Sequence, residues 1–313
     1  MVSQPVDLAT ALQPRPPSPL QELHDERFER RGVRLLLKRD DLIHTTMPGG
    51  PGALGPVELY PPGNKWRKLA PNLAEAGGRP VLTFGGAYSN HLRATAAAGR
   101  LLGFPTIGVV RGQELAGRPL NPSLARCAAD GMRLHFVDRA TYRRKAEPEV
   151  LAALRELFGD EPYVVPEGGS NSAAVRGCTE LGRELRGAAD VAAVACGTGG
   201  TLAGLAAGLG DGGRAVGFPV LRGGFLDEEI RRSQREAFGA VTPNWSLDDR
   251  FHCGGYARTT PALEAFATDF ETRHGLAVER LYVAKMLLGL LTLTEEGAFP
   301  PTTTLAAIIT GTP

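Results

Sequence analysis

The sequence has few cysteines and none in a metal-binding arrangement. Its 313 residues include four, scattered singly, at Cys127, Cys178, Cys196 and Cys253. Neither a CxxC pair nor the spacing of zinc ligands occurs, so we expect no metal site and no redox pair. A secreted disulfide framework is equally unexpected, and a reducing cytoplasm fits this cysteine usage best.

Long apolar runs and an excess of charge are also missing. No apolar stretch reaches the roughly 20 residues that a membrane-spanning helix needs. The amino-terminal residues lack a basic region followed by an apolar one, so we expect no secretory signal. Lysine and arginine number 35 against 34 acidic residues, a net charge of +1. This balance offers no field for nucleic acid or an anionic membrane, and we expect a soluble protein that binds neither.

The sequence does contain a regular alternation of short apolar runs and helical patterns. Runs such as Val81–Gly85 precede helical patterns, two of which are predicted at Pro148–Phe158 and Pro261–His274. This alternation is typical of parallel sheets covered by helices. Residues 45–63 are dense in glycine and proline and predict a long loop. Residues 1–17 are rich in proline, and we expect them to be disordered.

Three glycine-rich turns follow predicted strands and begin predicted helices: GGAYSNH, PEGGSNS and CGTGGTLAG. Helix amino termini bind anions readily, although the same residues are ordinary caps. Gly197–Thr201 is the most informative turn because glycines allow several N–H groups to converge on one phosphate. It lacks the Lys-Ser/Thr ending of a nucleotide P-loop. A dinucleotide fingerprint fits poorly, since Leu202 replaces its third glycine and the next strand ends without an acidic residue.

A turn that binds a single phosphate suggests pyridoxal phosphate, which needs a lysine for its Schiff base. GNKWRK places Lys65 and Lys68 where the long loop enters a predicted helix. Most lysines are solvated surface residues. The position of this pair at a Gly-Asn turn, in a chain that also carries the turn at 197–201, favours a role in cofactor binding.

These motifs occur together, in the same order, in one family. KRDDL, GNKWRKL, FGGAYSNHLRATAAAG, PEGGSN, GTGGTLAGL and LYVAKMLLGLL carry the resemblance, which spans roughly Leu35–Gly311. Over that length the chain resembles the 1-aminocyclopropane-1-carboxylate deaminase and D-cysteine desulfhydrase family of pyridoxal phosphate enzymes, related to the tryptophan synthase beta chain.

The resemblance implies an α/β protein of fold type II, with two open parallel-sheet lobes and the cofactor in the cleft between them. The large cofactor-binding domain is expected at residues 1–69 and 171–313, and the small inserted α/β domain at residues 70–170. Relatives are commonly homodimers, so a homodimer is expected here. The implied substrate is a small amino acid.

By the same resemblance, Lys65 forms the Schiff base and moves the α-proton of the substrate, and Lys68 contacts the phosphate. Ser89 meets the substrate carboxylate, and Asn90 meets the phenolic oxygen of the cofactor and is also expected on the substrate side. The other implied cofactor contacts are Gly197, Thr198, Gly199, Gly200, Thr201 and Thr310.

Four further residues are expected near the substrate, and two of them, the tyrosines, match positions of the family that face it. His91 and Gly169 are expected on the substrate side, although His91 could equally be a structural hydrogen-bonding residue. Tyr256 and Tyr282 are expected, with Lys65 and Ser89, in the catalytic set that serves leaving-group or ring-opening chemistry. Buried tyrosines are more often core residues with one satisfied hydroxyl, and that interpretation also stays open.

The chain departs from the family where the cofactor's pyridine nitrogen is expected. Relatives carry Glu or Thr after the matching tyrosine, whereas this chain has Val283; the family's His-Thr-Gly-Gly is changed at Ile309 and Thr312. Thr310 is the remaining candidate partner of that nitrogen. A hydroxyl does not keep the nitrogen protonated as a carboxylate does, so the electron sink is weaker. This favours elimination of a good β leaving group over opening of a cyclopropane ring.

The sequence therefore predicts a pyridoxal phosphate-dependent lyase or deaminase. The preferred reaction is β-elimination from D-cysteine or a similar amino acid, giving an oxo acid and ammonia. The alternatives are deamination of 1-aminocyclopropane-1-carboxylate, β-replacement or rearrangement on a biosynthetic amino acid, and a non-catalytic cofactor binder. A nucleotide-dependent oxidoreductase is disfavoured by the missing ribose-binding acid.

Overall fold

The computed structural model describes residues 17–43, 45–47, 57–59, 63–159 and 161–311. Contacts divide the chain into unit 1, Met1–Arg15 and His44–Asn171, and unit 2, Pro16–Ile43 and Ser172–Pro313. The disorder expected at residues 1–17 lies, apart from residue 17, outside the described residues. The domain bounds expected from the sequence stay a prediction. In the described part of the chain no helix is long and apolar enough to cross a membrane.

The secondary structure follows the alternation expected from the sequence. The strands are β1 Leu20–Leu23, β2 Arg34–Lys38, β3 Thr45–Met47, β4 Val57–Leu59, β5 Val81–Gly85, β6 Thr106–Arg111, β7 Arg133–Val137, β8 Tyr163–Val165, β9 Val191–Cys196, β10 Arg214–Pro219, β11 Trp245–Leu247 and β12 Thr304–Ile308. The α-helices are α1 Glu26–Glu29, α2 Lys65–Ala76, α3 Asn90–Leu102, α4 Pro122–Ala129, α5 Arg139–Arg143, α6 Pro148–Phe158, α7 Ser172–Gly177, α8 Thr179–Leu185, α9 Gly200–Leu209, α10 Leu226–Phe238, α11 Pro261–His274 and α12 Val283–Glu295.

Unit 1 is built on a four-stranded parallel sheet in the order β7–β6–β5–β8. Every residue of β5 is buried, as expected for a strand with helices on both faces. The expected loop at 45–63 needs a correction, because β3 and β4 pair antiparallel within it, Thr45 opposite Leu59. The two strands flank the stretch that is rich in glycine and proline, and their backbone groups pair with each other. The composition of the segment as a whole did not indicate this pairing.

Unit 2 is built on a six-stranded sheet in the order β1–β2–β12–β9–β10–β11. All neighbours pair parallel except β1 and β2. One apolar core contains residues of α11 and α12, and a second contains residues of α8 and α9. Each core takes alternate residues of the same strands, Val191 and Ala193 in the first, Ala192 and Val194 in the second. The sheet is therefore covered on both faces.

Helices α8 and α9 approach so closely that only glycine fits between them. A Cβ on Gly208 would lie 2.1 Å from the carbonyl oxygen of Thr179, and a Cβ on Gly182 would lie 2.3 Å from that of Leu205. Real Cβ atoms do not come this near to backbone oxygen, so one helix would have to move away from the other.

We expect Gly208→Ala to lower the free energy of unfolding by about 1–3 kcal/mol, the usual cost of forcing extra volume into a packed core. The measurement is the midpoint of urea unfolding followed by circular dichroism. Gly212→Ala is the matched control, since a Cβ there meets no atom within 4 Å. Equal midpoints for the two variants would contradict the steric argument.

Candidate active site

In unit 1 the candidate residues lie at the carboxyl edge of the parallel sheet. The turn that leads to Ser89 follows β5, and the turn that carries Gly169 follows its neighbour β8. Ser89 is the N-cap of α3, and its Oγ accepts a hydrogen bond from the backbone N–H of Leu92 at 3.2 Å. A Cβ on Gly85 would lie 2.6 Å from that Oγ, so Gly85 makes room for the serine. The hydroxyl proton of Ser89 remains a donor.

Asn90, at the start of α3, has an amide whose orientation is fixed by a neighbour one turn away. Its Oδ1 accepts a hydrogen bond from the guanidinium of Arg93. Because the amide is planar, its Nδ2 donors point away from Arg93. Asn90 is exposed, so this side chain presents N–H groups at the helix start.

The tautomer of His91 is set by a chain of hydrogen bonds through Thr83. Thr83 Oγ1 donates to the carbonyl oxygen of Val165 at 2.8 Å, and His91 Nε2 lies 2.8 Å from the same Oγ1. The single hydroxyl proton is used on the carbonyl, so Nε2 must carry the proton that Thr83 accepts. His91 Nδ1 is therefore a bare acceptor, and it is buried without a hydrogen-bond partner among the residues that the structure describes.

The surroundings of His91 keep its ring neutral. The side chain is 3% exposed, and burial, followed by the positive charges of Lys65 and Lys68, lowers its pKa to about 3. The ring lies against Gly169, where a Cβ would be 3.2 Å from His91 Cε1. This arrangement agrees with the structural hydrogen-bonding role that was left open for His91.

The two lysines lie on the first turns of α2, close to His91 and Gly169. Lys68 is buried, and its Nζ lies 3.5 Å from the carbonyl oxygen of Gly168. Asn72 anchors α2 to the same turn, because its amide pairs with that of Asn171 through bonds of 2.6 and 3.2 Å. The structure thus brings Lys65, Lys68, His91 and Gly169 together, with Ser89 and Asn90 in the residues just before His91.

In unit 2 the glycine-rich turn at residues 197–201 follows β9 and opens helix α9. Gly199 has a φ of +77°, and a Cβ there would lie 2.5 Å from Ile230 Cγ1. No residue type other than glycine fits at position 199 unless α10 moves. Consecutive N–H groups at the start of a ten-residue helix, with the hydroxyls of Thr198 and Thr201 beside them, fit a phosphate group. Thr310 follows β12, which pairs with β9, so it lies at the same sheet edge.

The two candidate tyrosines are in contact with each other, and one of them contacts this turn. The rings of Tyr256 and Tyr282 pack edge to face, with centroids 6.1 Å apart. A Cβ on Gly197 would lie 3.4 Å from Tyr282 Cε1. Tyr256 is 42% exposed and Tyr282 is half-buried, so neither is an ordinary core tyrosine.

Two of the three departures from the family, Val283 and Ile309, lie in the core of unit 2. Val283, the first residue of α12, is 1% exposed and belongs to the apolar cluster beneath the sheet. Ile309 is buried in the same cluster. Thr312 lies outside the described residues. The position after Tyr282 therefore presents no polar group.

Three residues that support these positions were missed in the sequence. Thr83 orients the ring of His91, and Asn72 anchors helix α2, which carries the two lysines. Glu279 accepts hydrogen bonds from the N–H groups of Leu281 and Tyr282 at 2.6 and 2.7 Å. Burial raises the pKa of Glu279, against the opposing effect of those N–H groups. A signal existed for Thr83 alone, as the one polar residue in the apolar run VLTFG.

We expect His91 to make the protein sensitive to acid. Its pKa falls from 6.5 to about 3 on folding, so the unfolded chain binds a proton that the folded protein does not. The free energy of unfolding is therefore unaffected by His91 protonation above pH 6.5, and it decreases as the pH falls from 6.5 towards 3. Over the whole interval the decrease amounts to about 5 kcal/mol.

The measurement is the free energy of unfolding in urea at pH 7 and pH 4.5 for wild type and His91→Gln. Both proteins lose stability through their carboxylates, and wild type should lose about 2 kcal/mol more between the two pH values. An identical pH dependence in the two proteins would show that His91 is not held neutral.

Comparisons with known proteins agree with this geometry. The model of the family described as "Pyridoxal-phosphate dependent enzyme" matches residues 63–311. A protein of Pyrococcus horikoshii named "Putative 1-aminocyclopropane-1-carboxylate deaminase" is 31% identical over 283 residues, which cover 85% of this chain and 81% of that protein. The "Bifunctional D-cysteine desulfhydrase/1-aminocyclopropane-1-carboxylate deaminase, mitochondrial" of Arabidopsis thaliana is 32% identical over 197 residues, 56% of this chain and 45% of that one.

Solved structures extend the similarity to the whole fold. A crystal structure of an ACC deaminase homologue superposes with a TM-score of 0.76 at 29% identity, covering 94% of this chain and 89% of that one. A threonine deaminase of Solanum lycopersicum, at 16% identity and a TM-score of 0.64, shares the fold. The predicted fold class and cofactor are confirmed, and the chain belongs to the pyridoxal-phosphate dependent enzymes.

Proposed function

We propose that this pyridoxal phosphate-dependent lyase eliminates the β-substituent of D-cysteine or a similar small amino acid. With D-cysteine the products are pyruvate, ammonia and hydrogen sulfide, and one water is consumed. The names of the relatives from Pyrococcus horikoshii and Arabidopsis thaliana support a reaction of the deaminase and desulfhydrase type. The observation that carries the choice of β-elimination is Val283.

Val283 occupies the position at which the family carries a group able to face the pyridine nitrogen. Its side chain is apolar and buried in the core, so Thr310 is left as the proposed partner of that nitrogen. A threonine hydroxyl stabilises a protonated pyridine far less than a carboxylate does. Such a site suits a substrate whose β-substituent leaves readily, as a thiol does.

The residues present fit the cofactor. The N–H groups and hydroxyls of residues 197–201 would bind the phosphate, and Lys68 keeps the phosphate-contacting role that the resemblance implies. The Nδ2 of Asn90, which Arg93 orients, would donate to the phenolic oxygen. Lys65 would hold the cofactor through its aldehyde group. When bound, pyridoxal phosphate withdraws electrons from the α-carbon of the amino acid.

The protein's own groups then bind the substrate and move its protons. The amino terminus of α3 and the hydroxyl of Ser89 bind the carboxylate. Once the amino group of the substrate has displaced it, the free amine of Lys65 would take the α-proton, and the neutral ring of His91 adds no charge that would disfavour the protonated amine. Gly169 allows the ring of His91 to lie against the backbone, where a Cβ would come within 3.2 Å of it. Tyr282 and Tyr256 donate hydrogen bonds to the departing sulfur.

The proposal also includes a cytoplasmic location and a homodimeric assembly. The scattered cysteines of the sequence support a reducing cytoplasm, and the resemblance to the family supports a homodimer.

The holoenzyme should release pyruvate and sulfide in equal amounts from D-cysteine, and much more slowly from L-cysteine. Lys65→Ala should lower this activity at least about 100-fold, because it removes the group that moves the α-proton. Borohydride reduction of the wild-type holoenzyme, followed by peptide mapping, should place the pyridoxyl group on Lys65 and not on Lys68. Pyruvate and sulfide assays in one reaction provide the rates.

Three outcomes would overturn the proposal. Release of 2-oxobutanoate from 1-aminocyclopropane-1-carboxylate, without turnover of D-cysteine, would establish the deaminase. A new amino acid formed from D-cysteine and an added thiol, in place of pyruvate, would establish β-replacement. A cofactor spectrum that no amino acid changes would leave a non-catalytic binder.

A further inference from the structure

Lys285, on the first turn of α12, is a fully buried lysine with an unusual pair of partners. It is 0% exposed, and its Nζ donates to the carbonyl oxygens of His252 and Gly255 at 3.0 and 3.1 Å. Burying an ammonium group is costly unless its donors are satisfied. Here both acceptors belong to one segment, residues 252–257, which we call the tyrosine loop because it carries Tyr256.

The tyrosine loop has a backbone that needs such support. Cys253 and Ala257 have φ angles of +54° and +56°, and between them Gly254 and Gly255 have +86° and +129°. Residues with a Cβ rarely adopt a positive φ, and they keep it only where the surroundings fix the backbone. The two carbonyls held by Lys285 lie immediately before Cys253 and immediately before Tyr256.

An acid near Lys285 favours its charge. Burial lowers the pKa of Lys285, and Glu279, which holds the turn before Tyr282, opposes that change. The ammonium group is thus hydrogen-bonded to the tyrosine loop, and its charge is favoured by the acid that holds the turn before α12.

The same lysine connects the two tyrosines. Tyr282 precedes Lys285 by three residues, almost one helical turn, and Tyr256 follows directly after the carbonyl of Gly255. The ring contact between the tyrosines joins the start of α12 to the loop that Lys285 holds. Without the lysine, the loop loses two charge-assisted hydrogen bonds while its strained backbone remains.

We propose that Lys285 is a positioning residue that holds the tyrosine loop so that Tyr256 stays against Tyr282. Its side chain is 0% exposed, so in this proposal it acts on the reaction through Tyr256. The part of this inference that concerns activity rests on the proposed function, whereas the part that concerns the loop does not.

The first test is amide hydrogen exchange of residues 252–258 in the holoenzyme. Lys285→Met keeps the length and packing of the side chain and removes the donors, so exchange in the loop should quicken by about tenfold or more. Asn244→Leu is the matched control. Asn244 Nδ2 also donates to backbone carbonyls, those of Ala206, Gly210 and Gly213, but at the opposite end of the sheet. It should leave exchange in the loop unchanged, and unchanged exchange in Lys285→Met would overturn the proposal.

The second test is a double-mutant cycle on kcat/KM with Tyr256→Phe. Lys285→Met should lower kcat/KM for D-cysteine, and adding it to Tyr256→Phe should cost little more, because the displaced hydroxyl is already gone. Asn244→Leu should combine additively with Tyr256→Phe. Additive losses for Lys285→Met would overturn the role through Tyr256.

The experiment also distinguishes failure of the variant to fold from failure of the proposed function. If Lys285→Met does not fold, Lys285→Gln, which retains N–H donors, goes through the same two tests and should show the same effects in weaker form. If wild type does not turn over D-cysteine, the proposed function fails, and the exchange comparison alone decides whether Lys285 holds the loop.

Discussion

The strands that precede the candidate residues run parallel in each unit, and this direction decides where those residues lie. In unit 1, β5 and β8 pair with Val81 opposite Tyr163, and in unit 2, β12 and β9 pair with Leu305 opposite Val191. Parallel strands end at the same sheet edge, and the crossover helices begin there with N–H groups that have no partner within the helix itself. Anion-binding turns therefore collect at one edge of each sheet before any side chain contributes.

Glycine then determines how closely other groups approach at that edge. Gly85 admits the capping oxygen of Ser89, and Gly199 accepts Ile230 where a Cβ would collide. Farther from the edge, Gly208 sets the spacing of α8 and α9, and α9 is the helix that follows the turn at residues 197–201. The same residue type thus serves the chemistry at helix starts and the packing behind them, because both need backbone without a side chain.

Much of the fold could be predicted because local signals were strong. The helices at Pro148–Phe158 and Pro261–His274 agree with the structure at both ends, since each starts at proline and stops at glycine. The pairing of β3 with β4 carried no comparable signal. In the site, Ser89 and the lysines stand in recognisable motifs, whereas the contact of Thr83 with Val165 spans 82 residues. A partner so distant in sequence is fixed only by tertiary structure.

The supporting residues decide what the motifs can do, because they set which groups donate and which accept. Thr83 makes His91 Nε2 a donor and leaves Nδ1 bare; Arg93 occupies the oxygen of Asn90. Val283 places an apolar side chain at the first position of α12. Glu279 holds the turn before that helix through the N–H group of Tyr282. Two chains could share Gly-Asn-Lys and Ser-Asn-His and still differ in reaction if these neighbours differ. The residues that contact the motifs are therefore a better guide to substrate choice in this family than the motifs themselves.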